Sequence, residues 1–281
     1  MDALFSQQAK QAAVARAGSR VAGFWRALRA QDLLAIEGFM EDAQWALSLR
    51  EADSGRAPAE WCSFLHRHDS LAALLAHGAD PGAESNAGSL LAQATRAHCL
   101  ECMGLLIQAG ASVEAEDARG MTPLVEAANL RQESHALKCV KVLLEAGANP
   151  DALTSQGYFA LGALASQNHA SVVERMVAAR ARLEISAGDG FTALFYAVDN
   201  QARDAAQALL RAGADYAARA KAETGSGAIE EVTPFELASL KGDTQTAAML
   251  YSFAEAATLR EKLGPKFAGA TRPVGRRAVR V

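Results

Sequence analysis

Leucine pairs followed by a Gly-Ala step punctuate this chain at long, regular intervals. The phrase Leu-Leu-x-x-Gly-Ala stands at Leu74–Ala79, Leu143–Ala148 and Leu209–Ala214, with a close variant at Leu106–Ala111. Gly78, Gly110, Gly147 and Gly213 are separated by 32, 37 and 66 residues, and the skipped copy falls at Arg180, within Met176-Val-Ala-Ala-Arg-Ala. A second phrase precedes each copy: Thr122-Pro-Leu-Val-Glu-Ala-Ala, Thr192-Ala-Leu-Phe-Tyr-Ala-Val and Thr233-Pro-Phe-Glu-Leu-Ala-Ser, with weaker versions from Ser89 and Phe159. These starts follow one another by 33, 37, 33 and 41 residues.

The two phrases predict two short helices per unit. Thr opens the first helix as its cap, and Pro fits the first turn because a missing N–H costs nothing there. Ala at the next inward positions lets helices approach closely. The Leu pair of the second helix seals against the next unit, and Gly ends it in a left-handed cap. Asn149-Pro150 and Asp80-Pro81 lead into the turn that follows.

A period near 33 with Thr-Pro-Leu-x-x-Ala resembles the ankyrin repeat. The best copy is Asp117-Ala-Arg-Gly-Met-Thr-Pro-Leu-Val-Glu-Ala-Ala, followed by Val140-Lys-Val-Leu-Leu-Glu-Ala-Gly-Ala-Asn-Pro-Asp. The resemblance covers residues 57–255 well, and degenerate copies near Ala57 and Ala22 bring the expected number of helix pairs to about seven. It implies an all-α fold: an ankyrin-repeat solenoid of stacked helix pairs with β-hairpin-like fingers. The expected organisation is an N-terminal helical cap with a degenerate repeat over 1–56, repeats over 57–264, and a basic, disordered tail over 265–281. Trp25, Trp45 and Trp61 all fall in the N-terminal region, where bulky side chains suit a surface that no further repeat covers.

Composition fits this thin core. Of 281 residues 50% are hydrophobic but only 6% aromatic, and nearly half of the apolar residues are Ala. No apolar run of about 18 residues free of charge is present, so no membrane span is expected. Lys10, Arg16, Arg20, Arg26 and Arg29 interrupt the N-terminal segment, which reads as a solvated helix rather than a secretory signal; an organelle transit peptide is the other reading of an Arg-rich, acid-poor start. Arg outnumbers Lys, which together with the Ala content suggests a GC-rich, bacterial gene and a cytoplasmic protein. Net charge is −4; residues 1–30 contribute +4 and residues 260–281 +6, which leaves −14 on residues 31–259. That acidic body serves solubility or attracts a basic partner.

Two insertions break the period. Four extra residues fall around Leu130–Leu137, between two helices, and eight in the finger Ala217–Glu231, where Gly225-Ser-Gly227 reads as flexibility. Insertions in solenoids are tolerated neutrally or sit on the binding face.

Candidate chemistry is sparse. His98-Cys-Leu-Glu-Cys102 contains a Cys-x-x-Cys, but Cys102 and Cys139 share an inward second-helix register with Val172, so both read as small core residues and no metal or redox function is expected. His66-Arg-His68-Asp69 lies on an inter-helix turn, and His169 stands where the resemblance implies a turn-stabilising role. No phosphate loop, nucleophile elbow or His-Glu-x-x-His motif is present. The chain therefore reads as no enzyme, with no cofactor and no small-molecule substrate.

What remains is surface. The resemblance implies that finger tips and first-helix ends line a concave groove for protein partners. By register these are Ser85, Asn86, Ala118, Arg119, Ser155, Gln156 and Asp189 on the fingers, and Arg96, Asn129, Leu130, Ser166, Gln167, Asp199 and Asn200 at the helix ends. The residue before each Thr position reads Met121, Tyr158, Phe191 and Val232, an apolar row that either meets a partner or packs sideways on neighbouring fingers. Glu114, Glu116, Asp117, Asp151, Glu184, Asp189, Asp199 and Asp215 surround it and would steer a basic partner. The favoured reading is a monomeric immunity or inhibitor-type protein that neutralises a basic protein partner. Alternatives are an adaptor or translocated effector scaffold acting on host proteins, and nucleic-acid or membrane binding through the basic tail.

Overall fold

The computed structural model describes residues 18–85, 88–117, 119–188, 190–223 and 229–263. Asn86, Ala118, Asp189, Gly225-Ser-Gly227 and the basic tail after Leu263 lie outside the described residues. Helices come in consecutive pairs. The N-terminal group is α1 (residues 18–30), α2 (Leu33–Met40) and α3 (Ala43–Ser48). Then follow α4 (Pro58–Phe64) with α5 (His68–Ala76), α6 (Leu90–Arg96) with α7 (Leu100–Gln108), and α8 (Pro123–Ala128) with α9 (Glu133–Glu145). The last pairs are α10 (Ala160–Ser166) with α11 (Ala170–Ala178), α12 (Ala193–Asp199) with α13 (Arg203–Ala212), and α14 (Pro234–Leu240) with α15 (Thr244–Leu263).

First helices stack in one row, α4 through α14, and second helices in another, α5 through α15. The core runs between the rows. Ala92, Ala94, Ala127, Ala128, Ala165 and Ala197 are buried where first helices meet, and Leu74, Leu106, Leu143 and Leu209 close the second row without exposure. This is why the chain needs so few aromatics: methyl-sized contacts bring the helices close enough to exclude water. Aromatic mass is instead gathered at the N-terminal end, where Phe24 packs on Trp25, Phe39 and Trp45, and Trp25 on Trp61.

The caps follow the sequence reading with informative exceptions. Thr122 and Thr233 accept from Val125 N and Glu236 N, and Glu236 accepts in return from Thr233 N. Ser89 caps α6 in the same way. Thr192 makes no such bond, and Phe159 replaces the cap altogether on α10. At the other end Gly78, Gly110, Gly147 and Gly213 adopt φ of 89°, 96°, 90° and 97°, and Arg180 is forced to +65° at the skipped copy. Between the helices of a pair another left-handed residue recurs, at Gln31, His66, His98, Asn168 and Gln201.

One expectation is corrected. The insertion around Leu130–Leu137 is not simply a longer loop: α9 has 13 residues against 9 in α7 and α11, so the extra residues largely add a helical turn. The finger insertion is ordered at its base into a hairpin of β3 (Ala220–Glu223) and β4 (Ile229–Val232), with Ala220 opposite Val232 and Glu223 opposite Ile229. A shorter ladder, β1 (Glu84–Ser85) with β2 (Gly88–Ser89), forms the finger before α6.

Candidate functional site

Three fingers place their last residue alike. Gly120, Gly157 and Gly190 take φ of 70°, 80° and 86°, a turn that only Gly enters without strain. Each turn is closed across its base: Asp117 N to Met121 O at 2.9 Å, Thr154 N to Tyr158 O at 2.9 Å, and Ala187 N to Phe191 O at 3.3 Å. Met121, Tyr158 and Phe191 thus leave equivalent turns immediately before α8, α10 and α12.

Their environments differ. Tyr158 is 46% exposed, Met121 and Phe191 are half-buried, and Val232 is buried in β4. Phe191 packs sideways on Phe195 at 5.2 Å and on Tyr196 at 5.6 Å. Met121, Tyr158, Phe159 and Tyr196 instead wall a cavity of about 220 Å³ floored by Gly162 and Ala163, with Asn129 and Ser166 at its polar lip. The cavity exists because residues three and four after the cap position are small on α10. The same positions carry Val125 and Glu126 on α8, and Phe195 and Tyr196 on α12. Phe159, Gly162 and Tyr196 were not among the expected site residues. The sequence signal was available as the departure from Thr at 159 together with Gly three residues later.

The two arginines expected to meet a partner are engaged within the chain. Arg119 pairs with Asp117 at 2.7 Å and with Glu126, and Arg96 reaches Glu126 at 3.4 Å and Asp117 at 3.8 Å. Both carboxylate side chains are buried at this crossing of two units. Burial alone would raise the Asp117 pKa, but bonds from Met121 N–H and from Arg119 outweigh it and hold the carboxyl below its usual range. Asp199 pairs with Lys241, and Asn200 bonds Tyr196 O and approaches Ser166. Gln156 lies against Gly120, where a Cβ would meet its side chain, and Gln167 caps α10 in an exposed position. Leu130 offers its carbonyl to His169 Nε2 at 2.6 Å, which ties two inter-helix turns together.

Much of the acidic surround also has structural work. Glu114 accepts Asn149 N at 2.6 Å, Glu116 accepts Ser155 N at 2.9 Å, and Glu184 accepts Asp215 N at 2.9 Å. Asp151 accepts Arg182 N at 2.7 Å and pairs with its guanidinium. Each bond spans one repeat, so these carboxylates lock neighbouring fingers together while still presenting negative charge. His66 stays in an inter-helix turn, and His68 and Asp69 open α5. Among the described residues no group of three or more His, Cys, Asp or Glu is placed to hold a metal ion, and no helix is long and apolar enough to cross a membrane.

A family model described as ankyrin repeats (3 copies) matches residues 59–153 and 131–220. No curated protein matches the sequence. Among solved structures, the crystal structure of the human ASB11 ankyrin repeat domain superposes with a TM-score of 0.64 at 19% identity, covering 81% of this chain and 96% of that one. At that identity the likeness carries the fold alone. The family matches span more than half of the residues, and with the paired-helix stack and its hairpin fingers they establish that the chain belongs to the ankyrin repeat family, whose repeats form protein–protein interaction modules.

Proposed function

We propose that the groove between the fingers and the first-helix row binds a basic protein partner, and that the chain acts as an inhibitor or immunity-type protein. The observation that carries the site is the aromatic-walled cavity beside Tyr158. It has the size and polarity to take one apolar or aromatic side chain of a partner, with Asn129 and Ser166 at its lip as hydrogen-bonding groups. The charge of −14 on residues 31–259 supports a basic partner, because complementary fields raise association rates and suppress acidic competitors. Arg96, Arg119 and Asp199 then act by shaping the groove wall, while Tyr158, Met121, Asn129, Gln156, Gln167 and Asn200 offer contacts.

The test is parallel affinity capture from the native organism with the wild-type chain and with Tyr158→Ala. Tyr158 is half-exposed, so its truncation leaves the thermal melt nearly unchanged. A basic protein retained by wild type, lost with Tyr158→Ala, and bound more slowly as salt rises supports the reading. Equal retention by both chains refutes the site, and an acidic partner refutes the charge argument.

A further inference from the structure

Away from the groove, α7 opens on two cysteines in contact. Cys99 is the N-cap of α7, and its sulfur accepts the Cys102 backbone N–H at 3.4 Å. The two sulfurs lie 2.7 Å apart, closer than van der Waals contact. They stand three positions apart, with Leu100 and Glu101 between them, which brings both side chains to the same face of the first turn. Both are free thiols and almost fully buried, Cys99 at 1% and Cys102 at 0% exposure.

The surroundings divide the roles. The Cys102 side chain lowers the Cys99 pKa most, aided by the Cys102 N–H and by nearby His66, against the cost of burial and the Glu101 carboxylate 3.9 Å from the Cys99 sulfur. The same sulfur contact, and then burial, push the Cys102 thiol up. The positive end of α7 favours negative charge at its cap in any case. Cys139 is pushed up to about 11 by burial, and Cys62 is raised in the same way. Of the four thiols, Cys99 is the one with nucleophilic character, and Cys102 lies within reach to resolve it.

We propose that Cys99 and Cys102 form a dithiol that small hydroperoxides oxidise reversibly to an intramolecular disulfide at the α6–α7 turn. The Cys99 thiolate attacks the peroxide oxygen, the O–O bond breaks, and the leaving oxygen takes up a proton as water or alcohol. Cys99 becomes a sulfenic acid. The Cys102 sulfur then attacks the Cys99 sulfur, forms the S–S bond, and expels the hydroxyl, which leaves as water with the thiol proton. Two electrons pass from the sulfurs to the peroxide. Burial sets the selectivity: a small hydroperoxide reaches Cys99 through local opening of the turn, whereas glutathione disulfide is too bulky.

The two residues lie on a single tryptic peptide, 97–119, separate from Cys62 and Cys139. The reduced full chain is treated with hydrogen peroxide or with glutathione disulfide. Remaining thiols are alkylated in denaturant and the peptides weighed. The expected result with peroxide is loss of two hydrogens from peptide 97–119, full alkylation of Cys62 and Cys139, and reversal by dithiothreitol. Glutathione disulfide leaves all four thiols free. Cys102→Ala halts at a Cys99 sulfenic acid that dimedone captures. Cys99→Ser, which keeps a good N-cap, slows peroxide consumption at least about tenfold. Four alkylatable thiols after peroxide, a disulfide involving Cys62 or Cys139, or unchanged oxidation of Cys99→Ser would each overturn the proposal.

Discussion

Gly162→Ala probes how the groove cavity is built. On helix propensity alone this change stabilises by up to about 1 kcal/mol. The packing opposes that gain. A methyl group on residue 162 would sit 2.7 Å from Phe159 Cζ, 2.9 Å from Cε2 and 3.1 Å from Cε1. Phe159 is 3% exposed and its ring meets Tyr196 edge-on at 5.8 Å, so the ring cannot simply swing into solvent. Overpacking of this kind costs about 1–3 kcal/mol. Set against the propensity gain, the net expectation is destabilisation of about 1 kcal/mol. The same change in a Phe159→Thr chain removes the clash and restores the residue type found at Thr122 and Thr192. There Gly162→Ala should stabilise by up to about 1 kcal/mol. The coupling in the double-mutant cycle is therefore about 2 kcal/mol, and the large cost of losing the buried ring cancels because both chains carrying Phe159→Thr share it. Urea titrations of the four chains measure it, with unchanged m-values required because stacked repeats can lose two-state behaviour. Equal effects of Gly162→Ala in both backgrounds would refute the claim that Phe159 dictates glycine at 162.

Arg180→Gly should stabilise by about 0.5–1 kcal/mol, since a left-handed Arg costs about 1–2 kcal/mol and the greater freedom of Gly in the unfolded chain returns part of that gain. A thermal melt reads this as a rise of about 2–4 °C per kcal/mol, and a fall would contradict the strain assigned to that cap. Asp117→Ala should cost about 2–3 kcal/mol, because a buried carboxylate and its charge-assisted bonds to Arg119 are lost, together with its ion pair to Arg96. Since the folded pKa of Asp117 is lowered, its contribution is present above the ordinary carboxyl value of 3.8 and is lost as pH falls through the folded value. The wild-type chain should thus lose more stability than Asp117→Ala in that acid window. His98 is also lowered, first by partial desolvation although the residue is exposed, and then by charge repulsion from His135, with ring centroids 4.0 Å apart, and His66 at 5.6 Å. Its folded state favours the neutral ring, so the stability it supports is complete above about pH 6.5 and declines as pH falls toward the folded value. His98→Gln, chosen because Gln31 and Gln201 occupy the same left-handed turn, should flatten the fall of the thermal melt as pH drops below about 6.5. An unchanged pH slope would show that the His row carries no such linkage.

The amino-acid order alone determined the repeat. Thr, Pro, Ala, Leu and Gly each act within a few residues of their own position, by capping, fixing φ, allowing close approach or ending a helix, so their spacing reports the stack directly. Even the irregular positions were legible, since the missing glycine marks Arg180, which takes the left-handed φ in its place. The site was less so. Register placed Met121, Tyr158 and Phe191 on equivalent turns, but whether each side chain meets solvent or a neighbour depends on units about 33 residues away. Only packing made Tyr158 a cavity wall, turned Phe191 onto Phe195, and buried Val232. Charge behaved likewise: carboxylates that read as a steering field also accept backbone N–H groups of the next finger, a pairing set by distance across the stack. The cysteines show the same division. Register placed Cys102 in the core, and only the helix cap brought the Cys99 sulfur into contact with it.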